Sequence, residues 1–113
     1  MTNYHIGNKQ YSCPIILSLE TIAGKWKGVI IWFLLENPVL RFGELKSRIS
    51  SAMKITDKML IQCLKELESD GIIEREVYKV VPPKVEYSLT KKGKELKGVF
   101  RELVKFGLLH EKK

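Results

Sequence analysis

Two periodicities divide this chain and predict its elements in order. From Cys13 onward, Ile15, Ile16, Leu19, Ile22 and Ala23 recur at helical spacing, with Pro14 suited to the first helical position and Cys13 to the N-cap. Gly24 ends that helix. A second begins near Lys25, and its Trp26, Val29, Ile30, Trp32, Phe33 and Leu34 are apolar on nearly all sides, as a helix at the centre of a fold must be. Asn37-Pro38 stops it. A third helix starts near Arg41 with Phe42, Leu45 and Ile49 inward, and closes at Ser50-Ser51 or runs on to Met53. A fourth is capped by Thr56 and runs to about Ser69, with Leu60, Leu64 and Leu67 on one side, Cys63 at the edge and Asp70-Gly71 as its stop.

The period then falls to two. Ile73, Arg75 and Val77 sit two apart, and Val85, Tyr87 and Leu89 alternate with Lys84, Glu86 and Ser88, which predicts two antiparallel strands. Their connection, Lys79-Val80-Val81-Pro82-Pro83, is stiffened by its prolines and should project as a basic loop. Thr90 caps a last helix carrying Leu96, Val99, Phe100, Leu103 and Phe106 at helical spacing. Residues 1–12 are polar without usable periodicity and predict a flexible arm ahead of one domain over residues 13–113. Helices, a β-hairpin and a closing helix in this order make a mainly α chain of winged helix-turn-helix type.

Length and charge narrow the chemistry. At 113 residues there is room for one core, which excludes multidomain enzymes. Twenty Lys and Arg against 13 Asp and Glu leave a net charge of +7, so an acidic partner is the first to look for. The longest apolar run, Val29 to Leu35, falls far short of the roughly 20 residues a bilayer crossing needs, and residues 1–12 lack an export signal. A cytoplasmic address without membrane contact is expected. There Cys13 and Cys63, too few for a disulfide framework, should both be thiols.

The candidate chemistry lies on the fourth helix. With its leucines inward, Lys58, Gln62 and Lys65 form the opposite line, flanked by Asp57 and Ile61. Glutamine pairs with adenine, lysine reaches guanine or phosphate, and an exposed isoleucine meets a thymine methyl, so this line suits a major groove. By itself such a face is usually only solvated. Joined to a basic hairpin tip and the charge of +7, it points to double-stranded DNA. Arg41, Lys46, Arg48 and Lys54 are placed to hold phosphates beside it, whereas Lys91, Lys92, Lys94 and Lys97 are assigned to solvating the last helix.

No catalytic constellation or cofactor motif emerges, and His5 and His110, near opposite ends, do not form a metal set. The chain is therefore expected not to be an enzyme, and to need neither cofactor nor metal. Cys13 has two readings: a thiol activated at a helix N-terminus, or a small apolar residue packed under the arm. Cys63 reads as packing.

Several blocks in sequence resemble one family. Cys13-Pro14, Ile22-Ala23-Gly24-Lys25-Trp26, Arg41-Phe42-Gly43-Glu44-Leu45, Leu64-Lys65-Glu66-Leu67-Glu68, Asp70-Gly71-Ile72-Ile73 and Val81 to Thr90 follow the pattern of HxlR-type winged-helix transcriptional regulators, related to the MarR group. The resemblance covers Cys13 to about His110. It implies a homodimer on operator DNA, with Thr56 among the residues of the helix that reads the major groove. It also implies a wing, residues 78–84 with Lys79 and Lys84, on the backbone or minor groove, and pairing of subunits through the terminal helices. Ile15, Leu19, Leu96, Val99, Phe100, Leu103 and Phe106 are the expected dimer residues. For these, independent support comes from the last helix, which carries more apolar side chains than one small core can cover. Cys13 matches the cysteine with which some members sense oxidants or electrophiles. The nature of an effector, small molecule or oxidant, is not written in the sequence.

Two departures from the pattern stand out. The stretch between Ile49 and Thr56 is about three residues longer than the family turn, and Ile61 and Phe106 replace a common threonine and tryptophan. The rival to DNA binding is an adaptor that keeps the winged fold and uses it against a protein.

Overall fold

The structure, a computed structural model, describes residues 3–112. The chain opens with a hairpin of β1 (Tyr4–Ile6) and β2 (Lys9–Tyr11). Two helices follow, α1 (Pro14–Ile22), entered through Pro14, and α2 (Lys27–Glu36). A two-residue strand, β3 (Leu40–Arg41), leads into α3 (Phe42–Ser50), and α4 (Asp57–Ser69) completes the helix-turn-helix. The wing is β4 (Ile73–Tyr78) and β5 (Lys84–Leu89), after which a single turn, α5 (Lys91–Lys94), precedes α6 (Lys97–Leu108).

The core gathers around α2, whose Ile30, Ile31 and Leu34 are buried against Leu45 and Ile49 of α3 and Leu60, Leu64 and Leu67 of α4. The central placement predicted for this helix is what the structure shows. The second sheet has the order β3-β5-β4, all antiparallel, with Ile73 opposite Leu89, Arg75 opposite Tyr87 and Val77 opposite Val85. Because facing residues share a side, Ile73, Tyr87 and Leu89 close the core while Val77 stays exposed toward the wing tip. This is the winged helix-turn-helix fold.

Three expectations are corrected. Residues 1–12 read as a loose arm, but residues 4–11 of them pair as a hairpin in which Ile6 is buried in the core, and Met1 and Thr2 lie outside the described residues. Isolated apolar residues among polar ones give no period to read, and docking on the rest of the fold supplies the order. The last helix is not continuous from Thr90: its cap closes only α5, and α6 starts anew at Lys97. Third, β3 was not foreseen, since two residues paired to Tyr87 and Glu86 are too short for alternation to appear.

Candidate nucleic-acid interface

The exposed side of α4 is built from its N-terminus upward. Thr56 caps the helix by accepting a hydrogen bond from the Met59 N–H at 3.1 Å, and Asp57 adds a negative charge to the first turn, where the helix dipole favours it. Leu60, Cys63, Leu64 and Leu67 then fall inward at steps of three and four. That inward set leaves Lys58, Ile61, Gln62 and Lys65 in solvent. Among the described residues, Lys58, Gln62 and Lys65 make neither a side-chain hydrogen bond nor an ion pair. An unengaged row on a rigid helix can offer its full donor and acceptor capacity to an outside partner.

The turn before α4 holds it by two means. Ile55 is buried, and Lys46 of α3 is ion-paired with Asp57. Lys46, assigned to phosphate from the sequence, is thus engaged across the turn, while Arg48 and Lys54 remain exposed. Arg41 is the N-cap of α3; its backbone N–H donates to Glu44 Oε1 at 2.8 Å and its side chain is exposed.

In the wing, Lys79 is exposed and beside it Val80 and Val81 also face solvent. Lys84 is held instead: its Nζ lies 3.2 Å from Glu86 Oε2 and 4.8 Å from the centre of the Tyr78 ring. Burial would raise the Glu86 carboxyl, but hydrogen bonds from Lys84 and Tyr78, with the charges of Lys84 and Arg41, outweigh it and hold the group below its ordinary range. The same Glu86 bond, followed by burial and the charges of Glu76 and Glu86, pushes the Tyr78 hydroxyl up.

Between α4 and the wing runs a cleft of about 450 Å³, lined by Phe42, Ile61, Leu64, Lys65, Glu68, Arg75, Val85 and Tyr87. It joins Ile61 and Lys65 to Arg75, a cation whose alternation along β4 marks it only as a strand residue. Alternation gives the face of Arg75 on the sheet, but only the packing of β4 beside α4 turns that face toward Lys65.

Two helix faces are apolar and exposed, Ile15, Ile16 and Leu19 on α1, and Val99, Leu103, Phe106 and Leu108 on α6 with Leu109 just past its end. Phe100 is corrected: at 5% exposure, against 65% for Phe106, it packs in the chain's own core, its ring 3.7 Å from where a Cβ on Gly28 would stand. Leu96 likewise is half-buried against that core. Cys13 is the partly exposed N-cap of α1, with no capping bond from its side chain. Cys63 is buried as expected, and burial, then the Glu66 charge, pushes its thiol pKa up. Among the described residues no group of side chains could hold a metal ion, and no helix is long and apolar enough to cross a membrane.

Residues 21–113 match the model of the HxlR-like helix-turn-helix family. The chain belongs to that family. Among its HxlR-like relatives is YkvN of Bacillus subtilis, described as an HTH-type transcriptional regulator, 48% identical over 99 residues that span 88% of this chain and 80% of YkvN. Solved structures share the fold, two redox-related regulators among them. The redox regulator HypR in its oxidised form superposes with a TM-score of 0.79 at 42% identity, covering 89% of this chain and all of HypR. The reduced form of the transcriptional regulator YodB from B. subtilis gives 0.71 at 38% identity, over 85% of this chain and 91% of YodB. The HxlR-like chain therefore carries the helix-turn-helix domain of transcriptional regulators, with α4 as the second helix of the motif.

Proposed function

We propose that this protein is a sequence-specific DNA-binding transcriptional regulator without catalytic activity, working as a cytoplasmic homodimer. The observation that carries the reading is the unengaged row Lys58, Ile61, Gln62 and Lys65 on a helix fixed by four buried residues. Each α4 enters a major groove, Lys58 and Lys65 meet guanine or phosphate, Gln62 meets adenine and Ile61 a thymine methyl. Arg41, Arg48, Lys54 and Lys79 hold the backbone on either side, while Lys46 and Asp57 steady the turn. Two subunits join through Ile15, Leu19, Val99, Leu103 and Phe106, which places the two α4 helices on successive turns of one face of the duplex.

Selection of bound fragments from genomic DNA, followed by titration of one recovered duplex at several salt concentrations, tests the reading. A small set of related sequences and an affinity that falls steeply with salt are expected. No duplex binding at low salt would favour the adaptor.

A redox response is the second part of the proposal, favoured by the likeness to HypR and by the position of Cys13 at the foot of the apolar α1 face. Peroxide oxidises the Cys13 thiolate to a sulfenic acid and is itself reduced to water. The thiol of Cys13 of the partner subunit then attacks that sulfur, releasing water and closing a disulfide between subunits. Such a bond changes the dimer and so the separation of its two α4 helices.

A further inference from the structure

The amino-terminal hairpin connects two helices that the proposed function uses. At one end Tyr11 leads through Ser12 into Cys13 and α1, and the Tyr11 hydroxyl donates to Glu20 Oε2 of α1 at 2.7 Å. At the other end the turn rests on the last residues of α4. Gly7 has φ +57°, and a Cβ there would stand 3.1 Å from both Asp70 Oδ1 and the Ser69 carbonyl, so the close approach needs glycine. Lys9 Nζ lies 3.0 Å from Asp70 Oδ2, and the Asp70 side chain is only 3% exposed.

Asp70 is an unusual residue to bury at this point. It is the C-cap of α4, where the helix dipole is negative and a carboxylate is repelled, and burial adds a desolvation cost. A cation brought against it offsets both effects. Lys9 pairs with the Asp70 carboxylate, Lys92 Nζ lies 3.4 Å from the Asp70 backbone carbonyl, and Ile6, the register partner of Lys9 across the hairpin, is buried in the core. The hairpin is thus seated by an ion pair, a close backbone contact and a buried side chain, with α4 beneath one end and α1 tied to the other.

We infer that Lys9 and Asp70 are positioning residues for DNA binding: their pair makes the hairpin a strut that fixes the axis of α4 relative to α1. The inference rests on the DNA-binding reading for its consequence, because the angle of α4 decides which side chains reach base edges. It assigns Lys9 a role inside the fold rather than on phosphate.

The test uses the full chain carrying Lys9→Met, Lys9→Arg, Asp70→Asn or the Lys9→Met/Asp70→Asn pair, at a temperature where circular dichroism shows each to be folded. If Lys9→Met does not fold, Lys9→Gln replaces it. Without DNA, backbone amide shifts of Lys9→Met should change along α4 as far as Lys58, and Lys9→Arg should restore them. With the selected duplex, Lys9→Met should lose about tenfold in affinity, the equivalent of one base contact, together with discrimination against random duplex. The double variant should regain thermal stability, since no charge is left unpaired, but not affinity. Amide changes confined to residues 66–72, or wild-type affinity in the folded Lys9→Met or double variant, would overturn the strut. If the wild type binds no duplex, it is the DNA reading that fails, and the amide shifts alone decide the strut.

Discussion

The α-carbon of Gly93 sits against the carbonyl oxygen of Ile72 so closely that a Cβ on it would overlap that oxygen. The contact brings α5 onto the entrance of the wing, and Thr90 braces it. The Thr90 hydroxyl lies 2.6 Å from the Gly71 carbonyl, to which it donates, and accepts from the Gly93 N–H at 3.0 Å. Gly93→Ala must push backbone away from backbone. The expected loss is about 2 kcal/mol, as for other overpacked interiors, and a melting temperature several degrees lower by calorimetry. Unchanged melting would mean that the two segments separate freely.

Phe100 and Phe106 lie on one helix and differ in what they touch. Phe100→Ala should cost about 3–5 kcal/mol of stability, as truncation of a buried phenylalanine does. Phe106→Ala should leave the fold intact and shift the concentration at which sedimentation velocity shows dimer. Equal loss of stability from both would place Phe106 in the subunit's own core.

Charge removal should separate the α4 face from the rest of a basic surface. Lys58→Ala and Lys65→Ala should each weaken binding of the selected duplex and lower the slope of log affinity against log salt by about 1. Lys97→Ala, on α6, should do neither. Similar effects at all three positions would indicate general attraction by the net charge of +7 rather than a docked helix.

The two thiols should differ in reactivity. Mass spectrometry after brief iodoacetamide treatment should find Cys13 labelled well before Cys63, whose burial raises its pKa and blocks access. Under diamide, wild type and Cys63→Ser should form a dimer band on a non-reducing gel and change affinity for DNA, while Cys13→Ser should do neither. A Cys13→Ser protein that responds like the wild type would make Cys13 structural.

The wing carries two titrations of opposite sign. The folded pKa of Glu86 is lowered, so its contribution to stability is complete above the ordinary glutamate range and fades as pH falls through the lower folded value. That of Tyr78 is raised, so its contribution is present below the ordinary tyrosine range and is lost as pH rises through the higher one. In urea unfolding, the gap between wild type and Glu86→Gln should narrow toward acid. The gap between wild type and Tyr78→Phe should narrow above about pH 10.

What local chemistry alone decides was legible along the chain. Apolar residues at steps of three and four, a proline at N1 and a threonine cap before Asp57 place α1 to α4 within a residue or two, because helix hydrogen bonds and their caps join near neighbours in sequence. Alternation in residues 84–89 likewise predicts the wing strand, and the leucines of α4 predict which of its sides is left outside. Tertiary packing decided the rest. Phe100 and Phe106 follow the same period, and only the seat of α6 on α2 buries the first and leaves the second in solvent. Lys46 and Asp57 are 11 positions apart and Lys9 and Asp70 are 61, so nothing local marks them as pairs. Ile6 is a lone apolar residue among polar ones, and β1 and β2 are ordered by docking on the ends of α1 and α4 rather than by a pattern of their own. Periodicity reports which side of an element faces inward; which partner waits there depends on contacts closed across the whole chain.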